Sequence, residues 1–182
     1  YITLILLLPL AGFLMLGLFG RKYFKNTSGI IATALMLAST VLSIYIAYGY
    51  FFDYGKVDGV FQKLVPLQYT WLEFSKGVSI DMGILLDPIT AMMLVVVTFV
   101  SLMVHIYTVG YMSEDPGYQR FFSYISLFTF SMLMLVMANN FMQLFFGWEA
   151  VGLVSYLLIG FWYTRPTAIF ANMKAFLVNR VG

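Results

Sequence analysis

Residues 141–164 read FMQLFFGWEAVGLVSYLLIGFWYT. One residue in this stretch is charged, Glu149. The stretch is long enough to cross a hydrocarbon layer, which takes about 20 apolar residues. A carboxylate at the middle of such a segment costs about 2.5–3.5 kcal/mol on insertion scales. It is kept where it faces protein or water inside a helix bundle, and there it is a functional candidate by default. On a helix, Gly152, Tyr156 and Gly160 follow Glu149 at i+3, i+7 and i+11, along one stripe. Two glycines on a stripe admit a second helix at close range. Glu149 is therefore expected between helices, with Tyr156 extending a hydrogen-bonding path on the same face. A purely structural carboxylate, paired with a lysine to hold helices together, is the competing expectation.

The rest of the composition agrees with a bilayer. The 182 residues are 62% hydrophobic and 10% charged, against about 45–50% apolar and about 25% charged in soluble domains. Net charge is +2 and the basic residues are scattered, so no Lys/Arg run points to nucleic acid. The chain has no cysteine, which excludes disulfides, thiolate metal sites and iron–sulfur ligation within it. Phosphate loops, nucleophile elbows and zinc spacings are missing as well. No bond chemistry, metal or cofactor is expected in this chain.

Taken in order, residues 2–20 form an apolar run followed by Arg21, Lys22 and Lys25. Positive charge after the run marks a first membrane helix with its N-terminus outside, and Pro9 is a candidate kink within it. Asn26–Gly29 is a turn, and residues 30–52 are a second span. Residues 53–87 carry three lysines against five acids, which suits an external loop. Within that loop, residues 67–74 and 78–82 have strand character around Ser75-Lys76-Gly77, predicting a small hairpin. Asp87-Pro88 is a helix start. Spans are expected over 88–112, 121–138 and 141–164, with Arg120 and Arg165 on the inner side. A sixth helix begins near Ala168. The expected fold is an all-α membrane protein of about six transmembrane helices with a small external β-hairpin between helices 2 and 3. Residues 1–87 make the two N-terminal helices and the hairpin loop, and residues 88–182 begin a helix bundle. The chain starts at Tyr1 and ends in an apolar run at Gly182, so it reads as a fragment.

Three more residues could carry charge or protons. Lys174 and Arg180 lie about 9 and about 18 Å along the sixth helix, and either could partner Glu149. Lys174 could equally snorkel to the interface. Arginine does not deprotonate in proteins, so Arg180 is a fixed charge. His105, the one histidine, shares a polar stripe with Thr98, Ser101 and Thr108. It titrates near neutrality and suits a proton relay; a hydrogen-bonded histidine locking two helices is the alternative. The 12 methionines and 18 phenylalanines are expected to face lipid or pack, in the main.

Three stretches resemble a known family: LDPITAMMLVVVTFVSLMVHIYTVGYM (Leu86–Met112), YQRFFSYISLFTFSMLMLVMANNFMQLFFGWEAVGLVSYLLIGFWY (Tyr118–Tyr163) and MKAFLVNRVG (Met173–Gly182). They are similar to the antiporter-like subunits of respiratory complex I, the proton-translocating NADH–quinone oxidoreductase, and cover an N-terminal part of a longer family chain. The resemblance implies inverted helix bundles with discontinuous helices that move protons. It implies that Glu149 pairs with a lysine on a later, broken helix beyond Gly182, that Lys174 and Arg180 belong to the surrounding charged network, and that His105 matches the family histidine. Ala150 stands where relatives often have glycine. NADH, flavin, iron–sulfur clusters and quinone would belong to other subunits, and the partners would be other membrane subunits, lipid and protons. The setting would be the bacterial inner membrane, or the mitochondrial inner membrane if organellar. The large subunit of a multisubunit Na⁺/H⁺ antiporter shares the bundle and much of the charge pattern, and is the alternative. A structural membrane fragment is the third.

Overall fold

A computed structural model describes residues 1–24, 27–75 and 78–181. Helix α1 (Ile2–Leu14) carries Pro9 within it and continues through a π-helical turn, Met15–Phe19, into a short α2, Gly20–Tyr23. Helix α3 (Ser28–Gly49) likewise runs into a π-turn, Tyr50–Tyr54. Four strands follow: β1 Lys56–Val57, β2 Val60–Phe61, β3 Leu64–Ser75 and β4 Val78–Leu86. Helices α4 (Pro88–Tyr111), α5 (Tyr118–Val136), α6 (Phe141–Ile159) and α7 (Pro166–Val181) complete the chain.

Five segments are long and apolar enough to cross a membrane: Ile2–Phe19, Ser28–Tyr54, Pro88–Tyr111, Tyr118–Val136 and Phe141–Ile159. The protein is integral to a membrane. The expected sixth helix is present as α7, but its 16 described residues are fewer than the roughly 20 that a full crossing takes. Span α6 is also shorter than expected: residues 160–164 leave the helix in a turn, where Gly160 ends it.

Lipid tails are as apolar as the helix faces, so packing and interhelical hydrogen bonds must hold the bundle. Helix α3 supplies such bonds to two of its neighbours: Ser39 Oγ donates to Ile5 O of α1 at 2.9 Å, and Thr40 Oγ1 to Thr98 O of α4 at 3.1 Å. Around the π-turn after α1, Gln119 of α5 donates to Leu16 O, which also accepts from Gly20 N, and Ser123 of α5 donates to Phe13 O at 3.2 Å. One apolar cluster gathers Ile5, Ile46, Tyr50, Leu94 and Leu133 toward the hairpin end, and a second gathers Leu16, Ala32, Phe122 and Ile125 toward the other.

The hairpin of β3 and β4 is antiparallel, with Leu67 opposite Ile84 and Tyr69 opposite Met82. It is longer than expected, and its turn at Lys76-Gly77 lies outside the described residues. Buried Gln143 of α6 locks it in place: its Oε1 accepts from Gly83 N at 3.0 Å, and its Nε2 donates to Gly83 O at 2.8 Å. Leu85 N donates to Met137 O at 3.1 Å, and Trp71 meets Phe146 edge-on. A Cβ on Gly83 would lie 3.0 Å from Leu67 O and 2.8 Å from the Asn139 amide, so a side chain there would crowd the strand pairing and push Asn139 aside. Strands β1 and β2 form a second, minimal hairpin that the sequence reading omitted. Its turn is Asp58-Gly59 with φ of 51° and 81°. Asp-Gly with both φ positive is the preferred two-residue turn chemistry.

Asp87 is the cap that was expected, and Asn140 is a second that was not. Asp87 accepts from Thr90 N at 2.8 Å, and Asn140 accepts from Gln143 N at 2.9 Å. At the end opposite the hairpin, Arg120 donates to Phe161 O at 3.2 Å, and its guanidinium lies 4.6 Å from the Phe161 ring. Trp162 Nε1 donates to Asp115 at 2.9 Å, and Arg165 lies over the Trp162 ring. This latch ties the α4–α5 turn to the α6–α7 turn. Arg120, Arg165 and α2, which carries Arg21 and Lys22, share that end of the bundle. Lys25 lies outside the described residues.

Candidate functional site

Glu149 sits near the middle of α6, about 12 Å from Phe141 and about 15 Å from Ile159 at 1.5 Å per residue. Two glycines decide which neighbours α6 meets. Gly147 faces α5, where a Cβ would lie 2.8 Å from Leu135 Cα and 2.9 Å from Leu135 N. Gly147 and Glu149 are two residues apart, hence about 200° apart around the helix. Close contact with α5 therefore turns Glu149 away from α5 and toward α7.

Helix α7 runs antiparallel to α6 on that side. At Gly160 a Cβ would collide with Asn172 of α7. One turn along, the Tyr156 and Phe176 rings lie 5.1 Å apart, centre to centre. One further turn sets Arg180 across from Gly152. The Arg180 guanidinium lies 4.7 Å from the Phe176 ring centre, and Arg180 Nη1 forms an ion pair with Glu149 Oε2. It is the one ion pair among the described residues. A cavity of about 120 Å³ adjoins it, lined by Glu149, Gly152, Ser155, Phe176, Asn179 and Arg180 among others.

Three expectations change here. The glycine stripe was to admit a helix at both positions. Gly160 does so, but no heavy atom lies within 4 Å of a Cβ at Gly152, which faces the cavity. Glu149 does lie between helices, yet its side chain is 30% exposed and that of Arg180 32%, because α7 covers it from one side only. Tyr156 makes no hydrogen bond through its hydroxyl among the described residues; it contributes its ring.

Lys174 stands apart. It is about 200° around α7 from Asn172, it is exposed, and no described ion pair reaches it. The structure brings Arg180, not Lys174, to Glu149. His105 is also separate. It is 1% exposed and wedged between α4 and α5: Nδ1 lies 2.8 Å from Ser101 O, and Nε2 lies 3.4 Å from Ser126 Oγ. Ser101 Oγ in turn lies 2.5 Å from Thr129 Oγ1 of α5. The other members of its stripe bond their own helix, Thr98 to Leu94 O and Thr108 to Val104 O. A cavity of about 380 Å³ adjoins Ser101 and Thr129, and apolar side chains such as Val100, Val104, Phe128, Met132 and Leu158 make up its walls. No described hydrogen bond or ion pair joins His105 to Glu149. Gly147, Gln143 and Phe176 were absent from the expected site. Gly147 lies in the quoted stretch and had a visible signal; Phe176 had none, being one phenylalanine among many.

Residues 71–122 match the family profile described as NADH-Ubiquinone oxidoreductase (complex I), chain 5 N-terminus, and residues 138–182 match NADH:quinone oxidoreductase/Mrp antiporter, TM. Together the two matches take in more than half of the chain. The chain belongs to this antiporter-like family. Among similar members, NADH-quinone oxidoreductase subunit L of Neisseria meningitidis serogroup B is 58% identical over 180 residues, 98% of this chain and 26% of that protein. Subunit L of Rickettsia bellii is 49% identical over 181 residues, 98% of this chain and 27% of the relative. NADH-ubiquinone oxidoreductase chain 5 of Dictyostelium discoideum is 45% identical over 177 residues, 97% of this chain and 25% of the relative. The chain thus spans about a quarter of the length of these antiporter-like relatives. Its Glu149–Arg180 pair falls wholly inside the second matched segment.

Proposed function

We propose that this chain is the N-terminal part of a proton-translocating membrane subunit of NADH–quinone oxidoreductase, with Glu149 and Arg180 as a switchable ion pair. The observation that carries this is a mid-span carboxylate held by a cation that stays protonated, in a helix with no other charge. Opposite charges in a low-dielectric site keep each other ionised. Drawing Arg180 away leaves a carboxylate that is costly to keep charged in the bilayer, so Glu149 takes up a proton. Restoring the pair expels it. Uptake and release at different moments of a cycle give transport, and no substrate bond changes in this chain. A lysine in the part of the relatives that extends past this segment is the expected competing partner for Glu149.

In this proposal, NADH oxidation, flavin, iron–sulfur clusters and quinone belong to partner subunits, and pumping is coupled to them. The N-terminus lies outside, because the end with α2, Arg120 and Arg165 takes the cytoplasmic side. The bacterial inner membrane, or its mitochondrial counterpart, is the setting. Lys174, on the outer face of α7, belongs to the charged network that meets those further helices. His105 is held ready between α4 and α5, and its hydrogen bonds support a helix-locking role before a relay. Since one matching profile is shared with Mrp antiporters, Na⁺/H⁺ exchange is the second reading.

The test is Glu149→Gln in the intact complex. The expected result is full assembly with proton-to-electron stoichiometry strongly lowered in sealed vesicles. Wild-type stoichiometry would overturn the proposal. Proton-gradient-driven Na⁺ uptake without NADH would select the antiporter reading.

A further inference from the structure

Arg180 reaches Glu149 over a specific surface. Its guanidinium is 4.7 Å from the centre of the Phe176 ring, one turn back on α7. The Phe176 ring is itself backed by Tyr156 of α6, 5.1 Å away and tilted by 58°. The close approach of α6 and α7 at Gly160 and Asn172 sets the register that brings these rings together. Gly152 leaves open the space that the guanidinium faces. From these contacts we infer that Phe176, backed by Tyr156, is a positioning residue: an aromatic shelf that holds the Arg180 guanidinium toward Glu149. The inference rests on the functional reading above and adds residues to it.

The physics favours this role. A guanidinium over an aromatic face is attracted to the ring quadrupole. Arginine gains more from a ring than lysine does, because its planar group stacks as well as attracts. An arginine on a bare helix face has many rotamers, and ordering such a side chain costs conformational entropy. The shelf removes most of those alternatives before the ion pair forms. The range of cation–π strength corresponds to a factor of about 2–30 in the population of the seated guanidinium.

The experiment is a double-mutant cycle in the intact complex, read as proton-to-electron stoichiometry and its pH profile in sealed vesicles. Phe176→Leu is made alone and with Arg180→Gln, and Phe176→Trp is the rescue. The expected result is a roughly 2–30-fold loss of pumping for Phe176→Leu, little further loss when it is added to Arg180→Gln, and near-normal pumping for Phe176→Trp. Coupling between the two positions is what separates positioning from packing. An equal loss in both backgrounds, or Phe176→Trp behaving as Phe176→Leu, would overturn the shelf. If Phe176→Leu does not assemble, Phe176→Met takes its place, an unbranched, adaptable side chain that fills the gap without a ring. Glu149→Gln is run alongside. Normal pumping there defeats the functional reading itself, whereas a loss there without coupling between Phe176 and Arg180 defeats only the shelf.

Discussion

The two glycines around Glu149 make opposite predictions for the same substitution. In Gly147→Ala the new methyl would sit 2.8 Å from Leu135 Cα, 2.9 Å from Leu135 N and 3.1 Å from Leu135 Cβ. Ordinary carbon contacts begin near 3.5 Å, so α5 and α6 must part by roughly 0.7 Å against backbone atoms that cannot rotate aside. Overpacking of this kind costs typically 1–3 kcal/mol, about a 5- to 160-fold loss in the folded-to-unfolded ratio. Glu149 is on the far side of α6, so the displacement pushes it into α7. In Gly152→Ala nothing lies within 4 Å of the methyl, and alanine is the better helix former by about 1 kcal/mol. The assay is the amount of assembled complex and its thermal midpoint in detergent, for the two variants side by side. Gly147→Ala is expected to lower both, and Gly152→Ala to leave both at or above wild type. Equal behaviour of the two variants would refute the assignment of Gly147 to the α5 contact.

Other parts of the molecule are open to equally direct tests. Gln143→Leu removes both bonds to the Gly83 backbone and leaves a buried N–H and C=O without partners, at about 1–3 kcal/mol each; hydrogen exchange should speed up at Gly83 and Ile84, and unchanged exchange would count against the lock. Side-chain hydrogen bonds from Thr70, Gln68 and Ser79 hold the Asp81 carboxyl below its usual value, so its contribution to the hairpin is present above the ordinary carboxylate range and is lost as pH falls through the lowered value. Trp71 fluorescence should report that acid transition, and Asp81→Asn should flatten it. His105→Phe, which breaks the contacts with Ser101 and Ser126, is expected to lower assembly through the α4–α5 interface. A variant that assembles normally but does not pump would instead make His105 a relay.

Much of the fold was legible because a bilayer imposes local rules. Hydropathy over about 20 residues finds a span with no knowledge of its neighbours. The Asp87 cap and the strand character of β4 are local for the same reason. The β1–β2 turn was legible too, since Asp58-Gly59 carries its own conformational signal, although it passed unread. The site was legible in part: Glu149 was singled out by its cost in lipid, and Gly160 marked the side where a helix comes close.

What remained was a matter of which faces meet. Lys174 and Arg180 are six residues apart on one helix and were equal candidates by sequence. The α6–α7 register, set at Gly160 and Asn172, gives Glu149 to Arg180 and turns Lys174 away. Phe176 looked like any other phenylalanine until Arg180 was found above it. Sequence by itself determined that this chain lies in a membrane, where its spans run, and that Glu149 needs a partner, since each of these follows from the cost of putting a given side chain into lipid. Tertiary structure alone decided the partner, the shelf and the tight contact at Gly147. Those depend on the rotation and register of one helix against another, which the packing of the bundle sets and no single segment encodes.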